Sequence, residues 1–373
     1  MLKIVLTGGP CAGKSSALTK LTESLSERGY RVFSVFEVST ALSKGGINYS
    51  DSLSHNDYQK FVIDMQLANE AIFDGVTRFY DPDKVIIFYD RGILDGAAYS
   101  DKEFFAELLK SKNLTVSEVM ARYDAVFHLV TAADGAEEAY QWNDPSKNDV
   151  GNNAARRESP EEARVLDKKT LNAWIGHPHL RVFDNSTSYD EKILRVVKEV
   201  FAMLGEPEPS EIERKYLIRM PSREQIEGLG CVSEAQIVQT YLKPIGNVAE
   251  RRVRQRGTKE DGFSFYYTEK TDVSSGVRIE NERKISKDEY LDLLSEADTS
   301  LHQISKTRYC FVYERQYFEL DIYPFCDEYA IVEIELNDIN EKIKLPPFDF
   351  VKDVTDDKRY RNSALAVSRT LTE

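Results

Sequence analysis

The chain has 373 residues, 41% of them hydrophobic, 30% charged and 11% aromatic, with a formal net charge of −14. That length allows two domains with ample core. The acidic balance argues against nucleic acid as a partner, since affinity for it comes from basic surface. The four cysteines, Cys11, Cys231, Cys310 and Cys326, have no paired spacing. A zinc site or disulfide frame is therefore not expected, and a reducing, cytoplasmic setting is. No apolar run approaches the roughly 20 residues needed to cross a bilayer, so no membrane span is expected.

The start, Met1-Leu2-Lys3-Ile4-Val5-Leu6, reads as a first buried strand rather than a signal peptide. It leads directly into Gly8-Gly9-Pro10-Cys11-Ala12-Gly13-Lys14-Ser15. This is the pattern of Gly, four residues, then Gly-Lys-Ser, with a strand before it and a helix after it. Backbone N–H groups of such a loop wrap phosphate oxygens, and the helix N-terminus adds positive potential. Gly8, Gly9, Cys11, Ala12, Gly13, Lys14, Ser15 and Ser16 are the expected nucleotide-binding residues. Lys14 would bridge the β- and γ-phosphates of ATP or GTP and act in catalysis, and the Ser15 hydroxyl would hold Mg²⁺.

Further strands are expected at Lys3–Leu6, Val32–Phe36, Val85–Tyr89, Ala125–Leu129 and Leu180–Phe183, with helices such as Lys14–Arg28 and Asp57–Phe79 between them. Strand-helix alternation implies a parallel sheet with helices on both faces. Asp90 closes the third strand and would face the ligand crevice, as a Mg²⁺ ligand or as acceptor of a substrate proton. Glu37 closes the second strand, where an acceptor substrate could lie. Gln141–Glu162 is polar, carries Pro145 and Pro160, and reads as an inserted lid. Its Arg156 and Arg157 could neutralise a phosphoryl group in transfer. Asn185 follows the last strand, near the expected nucleobase edge. His177-Pro178-His179 has no third ligand nearby and reads as a loop rather than a metal site.

This half resembles the P-loop nucleotide and nucleoside kinases, and within them the nicotinamide-riboside-kinase-like group with its AAA-type ATPase domain. The residues that carry the resemblance are Thr7 through Ser16, Phe36-Glu37-Val38, Asp90-Arg91-Gly92 with Asp95, the Asn153–Glu162 lid, and Asn185.

Gly205-Glu206-Pro207-Glu208-Pro209-Ser210 contains two prolines that cannot continue a helix, and the domain boundary is expected there. Residues 1–204 would form the first domain and residues 211–373 the second. From Glu211 the pattern changes to alternating strands with like charges two residues apart. Acids are Glu211, Glu213, Glu280, Glu282, Glu319, Asp321, Glu333 and Glu335; bases are Lys215, Arg252, Arg254, Lys270, Arg278, Lys306 and Arg308. Residues i and i+2 of a strand point to one face, so several strands would each present charge to one side. A solvated face of an open antiparallel sheet accounts for any one such pair. The repeated set suggests a closed barrel of about eight strands around a wet, charged interior. Its bases would bind a polyphosphate. Its carboxylates would hold Mg²⁺ or Mn²⁺, hard cations that prefer oxygen ligands, and a metal-activated water would attack the terminal phosphorus.

Glu211, Glu213 and Lys215 match the Glu-x-Glu-x-Lys signature of the CYTH, or triphosphate tunnel metalloenzyme, superfamily, which this half resembles over nearly all of residues 211–373. The resemblance implies an eight-stranded antiparallel β-barrel tunnel, a divalent metal and a triphosphate substrate. Catalysis would fall to Glu211, Glu213 and Lys215. Such enzymes include adenylate cyclases and RNA, thiamine and inorganic triphosphatases. The two domains in this order resemble the TRPL-translocation-defect group, for which guanine-nucleotide and phosphoinositide binding have been proposed. Three functions follow as expectations. The first is a triphosphatase whose P-loop domain binds ATP or GTP. The second is a nucleotide-regulated binder of phosphoinositide headgroups peripheral to membranes. The third is a small-nucleoside kinase regulated by the tunnel.

Overall fold

The computed structural model describes residues 1–49, 52–140, 158–205, 212–245, 248, 250–274, 277–336 and 342–373; for residues 212, 271–274 and 277–281 it describes the backbone alone. The chain divides into two compact units, Met1–Leu204 and Gly205–Glu373.

In the first unit the elements run β1 (Leu2–Thr7), α1 (Lys14–Ser26), β2 (Arg31–Val35), α2 (Val38–Lys44), α3 (His55–Thr77), β3 (Val85–Asp90), α4 (Lys102–Ser111), α5 (Val116–Met120), β4 (Ala125–Leu129), α6 (Pro160–Trp174), β5 (Leu180–Phe183) and α7 (Tyr189–Met203). The five strands pair in parallel in the order β2-β3-β1-β4-β5. The central strands β3 and β4 are almost wholly buried, as continuous apolar runs in a two-sided parallel sheet should be. Helix α1 turns Ala17, Leu21 and Leu25 inward at four-residue spacing, and α7 adds Ile193, Val196, Val197 and Val200 to the same core. Ser159 caps α6 in a reciprocal box with Glu162, and Pro160 takes the first helical position. The end of the expected insertion is therefore the start of a helix. Residues 141–157, with Arg156 and Arg157, lie outside the described residues.

The second unit contains β6 (Ile212–Arg219), α8 (Arg223–Glu227), β7 (Val232–Leu242), β8 (Glu250–Thr258), β9 (Gly262–Ser274), β10 (Val277–Ile285), α9 (Lys287–Leu293), β11 (Ile304–Tyr313), β12 (Gln316–Ile322), β13 (Tyr329–Leu336), β14 (Phe350–Asp353) and α10 (Asn362–Ser368). Its strands form one antiparallel sheet of nine, in the order β10-β9-β8-β7-β11-β12-β13-β6-β14. This corrects the expected closed barrel of eight. Strand β14 pairs with the outer edge of β6, the edge that closure would have needed. Among the described residues the end strands β10 and β14 are not paired with each other.

The sheet is nonetheless bent towards its charged side. Arg256 of β8 comes within 3.8 Å of Glu319 of β12, although β7 and β11 lie between them. The opposite side packs Ile218, Phe311, Phe318, Leu320, Ala330, Val332 and Ile334 into an apolar cluster.

Candidate functional site

The glycine loop joins β1 to α1. Gly8 has φ +136°, and a Cβ there would stand 2.0 Å from the Leu129 carbonyl oxygen. Gly13, just before α1, has φ +89°. Both positions demand glycine. Lys14 reaches back, its Nζ donating to the carbonyls of Gly8 (3.3 Å) and Gly9 (3.4 Å). Burial, and then Arg91, push its amine below the usual lysine range. Ser15 and Ser16 open α1 and are exposed.

Asp90 ends β3 with Oδ1 buried and without a hydrogen-bond partner. Burial raises its carboxyl, against the pull of Lys14. The next residue, Arg91, is in the left-handed region at φ +71°. Its Nε donates to Glu37 Oε1 at 2.6 Å, and its guanidinium lies 3.6 Å from Asp95. Asp95 accepts from the Gly92 N–H at 2.7 Å and from the Thr7 hydroxyl. Burial alone would raise the Glu37 carboxyl, but Arg91, Lys14 and a hydrogen bond from Thr40 outweigh it and hold it at about 2. Lys14, Glu37, Asp90, Arg91 and Asp95 therefore form one electrostatic group beside the loop.

Asn185 uses its hydrogen bonds inside the protein. Its amide donates to the Thr131 and Asp134 carbonyls, both at 2.8 Å, and its Oδ1 accepts from Lys192 at 2.8 Å. His177 is buried against the Tyr123 carbonyl. Among the described residues no group of three His, Cys, Asp or Glu side chains is arranged to hold a metal.

In the second unit the strand register decides which charges share a face. Lys215 stands opposite Glu333, and Glu213 opposite Glu335. Glu333 stands opposite Glu319. Asp321 pairs with Arg308, which pairs with Ala235, while Lys306 pairs with Ile237. Ile237 faces Arg256, Gln239 faces Arg254 and Tyr241 faces Arg252. Arg252 faces Thr268, which faces Glu282; Lys270 faces Glu250 and Glu280. Residues opposite each other in a ladder lie on one side of the sheet. Glu213, Lys215, Arg252, Arg254, Lys270, Glu282, Lys306, Arg308, Glu319, Asp321, Glu333 and Glu335 thus belong to a single face. The side chains of Arg278 and Glu280, and all of Glu211, lie outside the described residues.

The face is unevenly charged. Acids concentrate on β12 and β13 and bases on β8 and β11, while β6 carries one of each, Glu213 and Lys215. At the seam Arg308 donates to Asp321 Oδ1 at 2.6 Å, to Glu333 at 2.8 Å and to Glu319. Lys306 bonds Asp321, and Lys215 lies 2.7 Å from Glu333. Lys306, Arg308, Asp321 and Glu333 are all buried, with Asp321 at 0% exposure. A flat, solvated face would leave them wet, so the inward-facing arrangement is the one present. Burial opposes the charge on Lys215, yet Glu333 and Glu213 hold its amine above the usual lysine range. Glu333 is held low, with Lys215, Lys306 and Arg308 overcoming its burial. On the basic side Arg254 donates to Glu282 at 2.7 Å. Glu213 and Glu335 are exposed at one end of the face.

Arg256 belongs to this face and was missed in the sequence reading. It is 5% exposed, with NH2 3.4 Å from the buried Cys310 sulfur. The Arg-x-Arg-x-Arg alternation from Arg252 to Arg256 was its signal.

The donor chemistry suits a hard divalent cation in both units. In the first, Asp90 presents a buried oxygen without a partner beside the loop lysine. In the second, Glu213 and Glu335 face each other in register as all-oxygen donors.

Comparison with known proteins relates the two ends of the chain to different families. The family model described as an AAA domain matches residues 3–192, just over half of the chain. The C-terminal region is 32% identical over 163 residues to the inorganic triphosphatase of Nitrosomonas europaea, a match spanning 43% of this chain and 98% of that protein. A crystal structure of an inorganic triphosphatase is 29% identical, with 42% of this chain and 95% of that one covered and a TM-score of 0.31. A protein from Pyrococcus horikoshii is 20% identical, with 35% and 81% covered and a TM-score of 0.28. With scores this low, the sequence matches alone carry the relationship. The chain belongs to the AAA-domain family through its first half, and its C-terminal region belongs to the family of the Nitrosomonas europaea inorganic triphosphatase.

Proposed function

We propose that the second unit hydrolyses a triphosphate, tripolyphosphate or the chain of a nucleoside triphosphate, with Mg²⁺ or Mn²⁺, while the first unit binds ATP or GTP. The observation that carries this reading is the register that gathers the charge pairs of five strands, β6, β8, β11, β12 and β13, onto one inward face. Burying so many charges costs several kcal/mol per ion unless partners compensate. With bases grouped on β8 and β11 and acids on β12 and β13, and ion pairs where they meet, the face offers cations to an anion and carboxylate oxygens to a metal ion.

Arg252, Arg254, Arg256, Lys306 and Arg308 would bind the phosphate chain. Arg308 would exchange part of its hold on Glu319, Asp321 and Glu333 for phosphate oxygens. Lys215, kept protonated by Glu333 and Glu213, would supply positive charge to the terminal phosphate rather than a proton. Glu213 and Glu335, with Glu211 nearby in sequence, would hold the divalent ion. Once bound, the ion would neutralise phosphate charge and acidify the attacking water. One P–O bond would form to that water, whose proton would pass to bulk solvent, and the bridging P–O bond would break, releasing phosphate and the shortened chain.

Purified protein should release phosphate from tripolyphosphate or a nucleoside triphosphate when metal is added. Glu213→Gln should reduce that release by about 100-fold or more with the unfolding midpoint unchanged. No release by the wild-type protein across the panel, with or without either metal, sinks the reading.

A second reading concerns the first unit, and Asp90 favours it. A carboxylate with a free buried oxygen beside Lys14, and raised by burial, is suited to take a proton from an acceptor hydroxyl. Transfer of labelled γ-phosphate to a nucleoside panel tests it, and no transfer to any of them removes it.

A further inference from the structure

The back of the glycine loop is tied down carbonyl by carbonyl. The Pro10 oxygen accepts from the Thr131 hydroxyl. The Cys11 oxygen accepts from the Ala132 N–H at 3.2 Å, and the Ala12 oxygen from Lys192 Nζ at 3.3 Å. In a trans peptide the C=O and the following N–H point in opposite directions. Anchoring these three carbonyls to the protein therefore turns the N–H groups of Cys11, Ala12 and Gly13 away from it, towards where an anion would sit. A fourth tie fixes the entry to the loop, with the Gly9 N–H donating to Asp167 Oδ1 at 2.7 Å.

The anchors hold one another as well. Asp167 Oδ1 also accepts from the Thr131 N–H at 3.1 Å, and His128 Nε2 lies 3.2 Å from Asp167 Oδ2. Lys192 Nζ donates to the Val130 carbonyl at 2.7 Å and to Asn185 Oδ1 at 2.8 Å. Thr131, Lys192 and Asp167 are 0%, 2% and 7% exposed. They lie after β4, on α7 and on α6, so three elements grip one loop from behind. The hydrogen bonds of all three run to the protein's own backbone and side chains.

We propose that Thr131, Lys192 and Asp167 are positioning residues that set the loop in its anion-binding form before a nucleotide arrives. The proposal rests on the loop's role in nucleotide binding. A loop already set loses little backbone freedom on binding, and one left loose loses affinity by having to order.

The experiment uses the full-length chain and the pair Thr131→Val and Thr131→Ser. Valine keeps the shape and removes the hydroxyl; serine keeps the hydroxyl. Two readouts are taken. In nucleotide-free protein, the ¹⁵N order parameters of Cys11, Ala12 and Gly13 should fall from about 0.85 towards about 0.6 in Thr131→Val and stay high in Thr131→Ser. In titrations with ATP and with GTP, the valine variant should bind about tenfold more weakly and the serine variant within about twofold of wild type. Lys192→Met, which keeps the stem and removes the donor, should behave like the valine variant. Unchanged order parameters in both Thr131→Val and Lys192→Met overturn the proposal. So does an equal loss in valine and serine variants, or a valine variant that fails to fold while serine folds, since the hydroxyl would then serve the fold itself. If the wild-type protein binds neither nucleotide, the nucleotide reading fails, and the order parameters still decide the anchoring.

Discussion

Arg308 of β11 donates to Glu333 of β13 at 2.8 Å, passing over β12, whose Asp321 and Glu319 it also bonds. One guanidinium thus bridges three carboxylates, with Lys306 and Lys215 sharing in their compensation, at a site where Asp321 is fully buried. Burial works against its charge, and Asp321 and Glu319 together raise its pKa well above the ordinary arginine value. Removing one partner of a buried ion pair costs about 3–5 kcal/mol, because the other is left uncompensated. Arg308→Ala should therefore lower stability by about that amount in urea titration. Arg254→Ala, at a less buried pair with Glu282, should cost less, about 1–3 kcal/mol. Both should weaken triphosphate binding. An Arg254→Ala loss of stability equal to that of Arg308→Ala would show that the seam is not where the charge balance is held.

The Glu37–Arg91 pair predicts an acid response of the first unit. The Glu37 carboxyl has an ordinary value of 4.5 and is held at about 2 in the folded protein. A depressed carboxylate stabilises the fold fully above its unfolded value, and that contribution fades as pH falls from about 4.5 towards 2. Allowing for its partial exposure, the contribution is about 2–3 kcal/mol. Glu37→Gln should lower stability at pH 7 and flatten its decline between pH 4.5 and 2. Parallel curves for the variant and wild type in that window would show that Glu37 carries none of it.

Local pattern made much of this legible. The glycine loop follows a strand and opens a helix, and its residue types dictate its shape. The charge pairs were readable because a strand has a period of two, so Arg252, Arg254 and Arg308 declare a face without any knowledge of their neighbours. Closure was a different matter. It depended on four residues, Phe350–Asp353, claiming the outer edge of β6, and nothing in their composition fixes a partner more than a hundred residues away. The loop anchors were hidden for the same reason. Thr131 lies 121 residues from Pro10, and Lys192 lies 180 from Ala12. A threonine after a strand and a lysine on a helix carry no signal for such contacts.

Backbone strain separates two glycines that look alike in sequence. Gly8 has φ +136°, and a Cβ would meet the Leu129 carbonyl oxygen at 2.0 Å, so β4 would have to move. Gly29 has φ +81° with nothing within 4 Å of a Cβ. Gly29→Ala should cost about 1 kcal/mol from conformation alone. Gly8→Ala adds a backbone collision and should cost about 3 kcal/mol or more. Thermal unfolding of the two variants checks the difference, and nucleotide titration should show loss in Gly8→Ala alone. Equal destabilisation would mean that β4 gives way more easily than its burial implies.

Asp90 predicts a gain in stability at the expense of function. Its Oδ1 is buried without a partner, and burial raises its carboxyl above the ordinary 3.8 while Lys14 pulls the other way. A raised carboxyl means that the folded state binds the proton more tightly than the unfolded chain does. Its ionised form therefore costs stability, and that cost is complete above the raised value and vanishes below 3.8. Asp90→Asn removes the charge and keeps the shape. At pH 7 it should leave the protein as stable as wild type or more stable by up to about 1 kcal/mol. The same change removes an oxygen donor suited to a cation, so Mg²⁺ should strengthen ATP binding in wild type and do so about tenfold less in the variant. Titrations with and without Mg²⁺, beside thermal unfolding of each protein, separate the two effects. A variant that is less stable and keeps the full Mg²⁺ response would place Asp90 in the fold rather than at the ligand.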